Sequence, residues 1–500
     1  MKTNRIGTLL ALLVCAGTIA SSAAEKKPNF VIIYADDLGY GDLGCFGNTT
    51  IKTPNIDRMA AEGMKLTSFY AQTVCGPSRT SLMTGCYPMR VATHQNSVGN
   101  HPVVDSTEIT VAEVLKDVGY KTIAIGKWSL ARQTQKRSAI VTHLLPTHQG
   151  FDSFFGTGGS NDSIVNLIRG EKVIEKRVNM GQLSRRYTDE AIGFIKENNG
   201  EPFLLYLAHT MAHVKLAVSD EFKGKSTGGL YGDVIEEMDF HVGRILKTIK
   251  EEGLDENTYV IFTSDNGPWY LGRSAGHIKR YGENAADHGG TAFPLRGDKT
   301  NGWEGGLRVP CVVRAPGRVP PGTEDDTIAG LIDILPTFAS LAGGEVPTDR
   351  VIDGIDISSI WAKDKFIDSN KFASRPYFYY IRTRLQAVRL GKWKLHVPRP
   401  VDRVWGHYSR EGDYGAVTEP LLFDLEAEIG EKTNVAAKHP EVVAELTRLI
   451  EKARADIGDH DRKGANARFL KGFPERPDLN PKLQKPRSKP GAGNKPKKNK

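Results

Sequence analysis

From about residue 29 the chain alternates short apolar runs with segments whose apolar positions recur every three or four residues, which predicts a parallel or mixed sheet covered by helices. Asn29–Ala35, NFVIIYA, reads as a buried strand. A helix is expected from Pro54, with Thr53 as N-cap, Ile56, Met59 and Ala60 on its apolar face, and Gly63 as its stop. Further on, Thr110 and Glu113 form a capping box ahead of Val111, Val114, Leu115 and Val118, which share one face and are ended by Gly119. Strands are expected at 121–125, 203–208 and 259–263, with a long amphipathic helix at about 231–252. After about residue 365 the texture changes. Aromatic and β-branched runs at 376–381, 385–397 and 421–425 follow one another without helices, and a single amphipathic helix at 440–455 closes the series. The expected fold class is therefore α/β: a large mixed sheet flanked by helices over 25–365, then a smaller C-terminal antiparallel sheet plus helix over 366–473.

Composition narrows the class. At 500 residues and 39% hydrophobic the chain can bury a large core, and it is neither disordered throughout, nor a coiled coil, nor a multi-span membrane protein. The net charge of +8 invites a nucleic-acid reading until it is located. Residues 1–24 carry +2 and residues 475–500 carry +7, which leaves the body at −1, so no nucleic-acid partner is expected. Lys2 and Arg5, an apolar stretch at 9–14 and the small residues Ser22, Ala23 and Ala24 have the layout of a cleaved secretory signal. A secreted or periplasmic protein is expected, with no transmembrane segment after cleavage. Residues 474–500, rich in Pro, Lys, Gly and Asn, read as a disordered basic tail that tethers the protein to anionic polysaccharide or a cell surface. Cys45, Cys75, Cys86 and Cys311 remain after cleavage, too few in so long a chain for a disulfide framework.

In open α/β sheets ligands bind beyond the carboxyl ends of the strands, so the residues just after each apolar run are the candidates for chemistry. Asp36 and Asp37 follow the first strand, Lys127 follows the strand ending at Gly126, His209 and His213 follow Ala208, and Asp265, Asn266 and Gly267 follow the run ending at Thr263. Three carboxylates and an amide oxygen at one sheet edge make a hard oxygen cage suited to Ca²⁺ or Mg²⁺, whereas each Asp taken alone would cap a helix or turn. His209 with His213 reads equally as an exposed pair one helical turn apart or as part of a zinc site. The segment Cys75-Gly76-Pro77-Ser78-Arg79 reads as a turn entering a short helix, with Pro77 near its first position and Gly85 as its stop. Cys75 is then at a helix N-terminus, where free N–H groups favour an anionic nucleophile or a bound oxyanion; a buried structural cysteine is the alternative.

This segment resembles the C-x-P-S-R signature of the type I, formylglycine-dependent sulfatases. With it, in the same order as in that family, stand NFVIIYADDLGYGDLG (29–44), TPNIDR (53–58), GKW (126–128), SDNG (264–267) and WEGGLRVP (303–310), while GKWKL (391–395) and LFDL (422–425) resemble its C-terminal region. The resemblance implies an alkaline phosphatase-like fold and a sulfuric ester hydrolase that acts on sulfated carbohydrate or aryl sulfate. It implies that a maturation enzyme oxidises Cys75 to formylglycine, whose hydrated aldehyde attacks sulfur in line and later expels sulfate by elimination. Asp36, Asp37, Asp265 and Asn266 would hold Ca²⁺, Arg79 would brace the formylglycine, and Lys127 and Lys299 would hold the sulfate. His213 would protonate the leaving oxygen, and Ser160, His209 and His288 are candidate substrate contacts.

One departure stands out. The family commonly reads GKWHLG, but Lys127 and Trp128 are followed here by Ser129, Leu130 and Ala131, so the histidine expected to take the diol proton is missing. Serine is no general base near neutrality; His143, His288 or a water would replace it. The same departure, with the basic tail, motivates a second reading, a non-catalytic or weakly active binder of sulfated glycans. The 272–292 loop, with His277, Lys279, Arg280 and His288, is expected to line the substrate cleft.

Overall fold

The computed structural model describes residues 26–91, 104–131, 142–161, 165–269, 289–362, 372–381, 383–400 and 416–468. The expected signal segment, the basic tail, His288 and most of the 272–292 loop lie outside the described residues.

In chain order the main elements are β1 (Asn29–Ala35), α1 (Pro54–Ala61), β2 (Met64–Leu66), α2 (Cys75–Thr84), α3 (Val111–Asp117), β3 (Lys121–Lys127), β4 (Ser153–Thr157), β5 (Leu167–Arg169), β6 (Lys172–Glu175), α4 (Leu183–Glu197), β7 (Phe203–Ala208), α5 (Gly229–Glu251), β8 (Thr258–Ser264), β9 (Cys311–Arg314), β10 (Thr323–Asp325) and α6 (Ile334–Ala342). The ten strands form one mixed sheet in the order β10-β2-β9-β8-β1-β7-β3-β4-β5-β6. Its centre, β8-β1-β7-β3-β4, is parallel, and antiparallel strands close both sides. Strand β1 shows why it is central: Phe30, Ile32 and Tyr34 enter one apolar layer while Val31, Ile33 and Ala35 enter the other, so both faces are covered.

A second, antiparallel sheet follows, from β11 (Tyr377–Ile381), β12 (Arg384–Leu390), β13 (Trp393–His396) and β14 (Leu421–Asp424). Helix α7 (Pro440–Asp456) covers it with Leu446, Ile450 and Ala453. The run expected at 385–397 is two strands, because Gly391 at φ 53° turns the chain and pairs Leu390 with Trp393. The apolar layer under this sheet also takes in Tyr70, Tyr87 and Leu307 from the preceding part of the chain, so the C-terminal sheet packs directly against it.

Most helix boundaries fall within two residues of expectation, and the Thr110–Glu113 capping box forms on α3. Two details differ. The Thr53 hydroxyl does not cap α1; it accepts from Gly44 N–H and donates to Asp57, and the start of α1 is capped by the Asp239 carboxylate of α5, which accepts from Asn55 and Ile56 N–H. Lys127 does not follow its strand but ends it, since β3 pairs with β4 as far as Lys127.

Candidate active site

Parallel register assembles the site. Ala35 pairs with Ser264 at the carboxyl ends of β1 and β8, so Asp36-Asp37 and Asp265-Asn266 leave the sheet side by side. The Asp37 N–H donates to Asp265 Oδ1 at 3.1 Å, and Asp37 itself takes φ 60°, a left-handed conformation unusual for a non-glycine residue and concentrated at functional sites. On the other side of β1, β7 and then β3 bring His213 and Lys127 to the same edge. Gly126 permits this approach, because a Cβ there would stand 1.8 Å from the Ala208 carbonyl oxygen.

Helix α2 delivers the thiol. It begins at Cys75 itself, two residues before the start expected at Pro77, and ends at Gly85, which caps it at φ 67°. The Cys75 Sγ lies 3.3 Å from Asp36 Oδ1, 3.3 Å from Lys127 Nζ and 3.7 Å from Lys299 Nζ. Lys127 also pairs with Asp36, and Lys299 with Asp37 Oδ1 at 2.6 Å. Arg79, one helical turn after Cys75 and completely buried, binds Asp265 Oδ2 at 3.0 Å and Tyr206 Oη at 3.3 Å, with Asp36 Oδ2 at 3.7 Å. Lys299 arrives from a distant loop fixed by two backbone bonds: its N–H donates to the Pro268 carbonyl, and Thr300 N–H donates to Thr73, two residues before Cys75.

The electrostatics follow from burial and pairing. Burial favours the neutral carboxyl at Asp36 and Asp37, but their neighbours, led by Lys127 for Asp36 and Lys299 for Asp37, outweigh it and hold both below the usual carboxylate range. At Asp265 burial wins, helped by Asp36, and its carboxyl is raised. Burial, then Asp265 and Asp36, pushes the Cys75 thiol well above its ordinary value. Burial, then Lys299, lowers His213.

His213 stands 3.8 Å from Asp37 Oδ2, and Ser160 Oγ lies 3.3 Å from its ring. Since the Val214 carbonyl can only accept, the nearby His213 Nδ1 carries the proton that binds it, which leaves Nε2 for exchange. Trp269, which the sequence reading passed over, packs its ring 5.1 Å from that of His213 and 4.4 Å from Lys299 Nζ. Its place three residues beyond Asn266, off the end of a buried strand, was the available signal.

His209 lies apart from the cluster of Asp36, Asp37, Cys75 and Asp265: its imidazole is buried, neither ring nitrogen has a hydrogen-bond partner among the described residues, and burial followed by His241 pushes its pKa down to about 3. Ser129 is half-buried at φ 58°, and His143 is exposed on a short 3-10 turn, Thr142–Leu144.

The donor set fits a hard cation. Single ligand atoms of Asp36, Asp37, Cys75 and Asp265 all lie within 4.8 Å of one another. Asp37 Oδ2 and Asn266 Oδ1 are buried without a hydrogen-bond partner among the described residues, the latter because the Asn266 amide donates to Asp37 Oδ1 and the Gly267 carbonyl and so turns its oxygen away from both.

Residues 28–344 match the sulfatase family. The chain belongs to the sulfatase family. Residues 373–484 match the C-terminal region of aryl-sulfatase. Among relatives, the steryl-sulfatase of Mus musculus is 32% identical, over 85% of this chain and 81% of its own length. The N-acetylgalactosamine-6-sulfatase of Mus musculus is also 32% identical, over 89% and 88%. A solved Bacteroides thetaiotaomicron sulfatase from a locus for metabolism of multiple glycosaminoglycans superimposes with a TM-score of 0.73 at 28% identity, covering 86% of this chain and 99% of that one. This sulfatase is thus a sulfuric ester hydrolase of alkaline phosphatase-like fold, with the large mixed sheet and separate antiparallel sheet expected from its sequence.

Proposed function

We propose that this sulfatase is an exported, Ca²⁺-dependent enzyme that hydrolyses sulfate monoesters of sugars or polysaccharides through a formylglycine made from Cys75. The observation that carries the reading is the convergence of two lysines and three carboxylates on Cys75 Sγ at a helix N-terminus. Asp36, Asp37, Asp265 and Asn266 would hold the cation, which when bound supplies positive charge that polarises a sulfate oxygen, while formylglycine supplies a nucleophilic oxygen where the thiol now stands. The rest is the work of the chain's own groups. Lys127 and Lys299, both beside Cys75 Sγ, hold the sulfate oxygens. Arg79 braces the first turn of α2 against Asp265, and His213 passes a proton at Nε2 to the leaving oxygen. Ser129 contributes no acid–base group, so His288 or a water takes the proton that the missing histidine would accept, His143 being exposed on its own turn. Retention of every other group, together with the family match, favours catalysis over mere glycan binding.

A sugar substrate is supported by the N-acetylgalactosamine-6-sulfatase relatives and by the glycosaminoglycan-locus sulfatase. The test has two parts. Mass spectrometry of the Cys75 peptide, after co-expression with a competent maturation enzyme, should show formylglycine; sulfate release from a protein with an unmodified thiol would sink the formylglycine assignment. A panel of defined sulfated saccharides, with aryl and steryl sulfates as comparison, should show release favouring saccharides, abolished in Cys75→Ala. Release from steryl sulfate alone would overturn the sugar assignment.

A further inference from the structure

Two motifs picked out in the sequence, WEGG at 303–306 and GKWKL at 391–395, have no part in the chemistry above, yet the structure brings them together. Glu304 is completely buried. Its Oε1 accepts from Lys394 Nζ at 2.9 Å and Tyr379 Oη at 2.6 Å, and its Oε2 accepts from Tyr70 Oη at 2.6 Å and Arg308 at 3.3 Å. Lys394 and Tyr379 belong to the C-terminal sheet. Lys394 further donates to the Gly302 carbonyl at 3.0 Å and pairs with Glu431 Oε1 at 2.8 Å, while Glu431 Oε2 accepts the Glu304 N–H at 2.7 Å. A buried ionic hub so grips the short helix Glu304–Leu307 from its side chain and from its backbone.

That helix is pressed against two loops of the proposed site. Gly267, next to Asn266, donates its N–H to the Gly306 carbonyl at 3.1 Å, and a Cβ on Gly267 would stand 1.8 Å from Gly305 O. Gly305 N–H donates to Arg296 O at 2.7 Å, and Cβ atoms on Gly305 and Gly306 would stand 2.4 Å and 2.2 Å from the carbonyl oxygens of Gly297 and Asn301. Those carbonyls lie two residues to either side of Lys299. With no side chains between them, the helix, the Asp265-Asn266-Gly267 turn and the Lys299 loop transmit displacement directly.

We infer that Glu304 and Lys394 are positioning residues: through them the C-terminal sheet sets the places of Asn266 and Lys299. This rests on the assignment of those two residues to cation and sulfate. It differs from a merely structural role in what it predicts for the folded fraction. In Glu304→Gln and Lys394→Met, Ca²⁺ affinity by calorimetry and kcat, both per folded and formylglycine-bearing molecule, should fall about 10-fold or more. Lys394→Arg should recover most of the loss. Tyr379→Phe, which removes one neutral donor and no charge, should shift both quantities the same way by less and keeps the test open if the charge variants do not fold. Arg90→Met, which breaks a buried ion pair with Asp353 and Asp456 elsewhere, is the control for stability loss alone. If Tyr379→Phe and the folded charge variants keep wild-type Ca²⁺ affinity and kcat while melting lower, as Arg90→Met should, the inference is overturned. If the wild-type protein binds no Ca²⁺, the assignment beneath it fails instead.

Discussion

Replacing Gly267 with alanine perturbs the site at one calculable point. The backbone of Gly267 is not in the left-handed region, so alanine adds no dihedral strain, and the whole effect comes from contact. Its Cβ would stand 1.8 Å from the Gly305 carbonyl oxygen and 2.9 Å from that carbonyl carbon, where real Cβ atoms do not approach closer than 3.0 Å. The neighbour is backbone and cannot rotate away, so the Asn266 turn and the Glu304–Leu307 helix must part by about 1 Å, a misplacement that costs about 100-fold in rate, or about 2.7 kcal/mol. Overpacking of this kind also costs about 1–3 kcal/mol of stability. The assay is kcat/KM for sulfate release on matured protein of measured formylglycine content, beside a thermal melt. Gly193→Ala is the matched control: it lies within α4 with nothing within 4 Å of the new Cβ, and it should stabilise by about 0.5–1 kcal/mol without loss of activity. Wild-type kcat/KM and an unchanged melt in Gly267→Ala would refute the reasoning.

His213→Ala should lower kcat by about 100-fold or more for saccharide sulfates, whose leaving oxygen needs a proton, and by much less for an aryl sulfate with an acidic leaving phenol; equal losses on both would remove His213 from that role. Lys299→Met leaves Asp37 buried without its 2.6 Å partner, a loss of about 3–5 kcal/mol in chelator that added Ca²⁺ should reduce, as read by chemical denaturation in the two buffers. Burial, then His241, pushes the His209 pKa down to about 3 from the ordinary histidine value of about 6.5, so folding favours its neutral form and its contribution is complete above about pH 6.5. That contribution is lost by about 1.4 kcal/mol per pH unit as pH falls from 6.5 towards 3. His209→Leu, which removes two ring nitrogens unpartnered among the described residues, should therefore flatten the fall in stability between pH 6 and pH 4; an unchanged pH profile would contradict it.

The periodicity of the chain determined its architecture by itself. Buried parallel strands such as β1 are continuous apolar runs, and capped helices with one apolar face are written in local residues, so each could be read within a few positions. Strand ends also marked where polar groups would gather: Asp36, Asp37, Asp265, Asn266 and His213 all follow buried strands, and it was their number at one sheet edge, not any one of them, that spoke against simple caps. Local context in the Cys75–Arg79 segment left Cys75 as either a nucleophile at a helix N-terminus or a buried structural cysteine, and the resemblance selected the nucleophile; it also added Lys299, which local context alone did not distinguish from an ordinary loop lysine. Tertiary structure decided the rest. Strand order put β8, β1, β7 and β3 beside one another and so made one cluster of four separate strand ends. Tertiary packing also separated His209 from His213: the two share a segment and a residue type, but only His213 stands beside Asp37 among the described residues. The role of Glu304 was out of reach for the same reason. Its partners Tyr70, Tyr379, Lys394 and Glu431 come from as far as 234 residues away along the chain, and no local pattern records a charge whose partners are supplied by the folding of a second sheet.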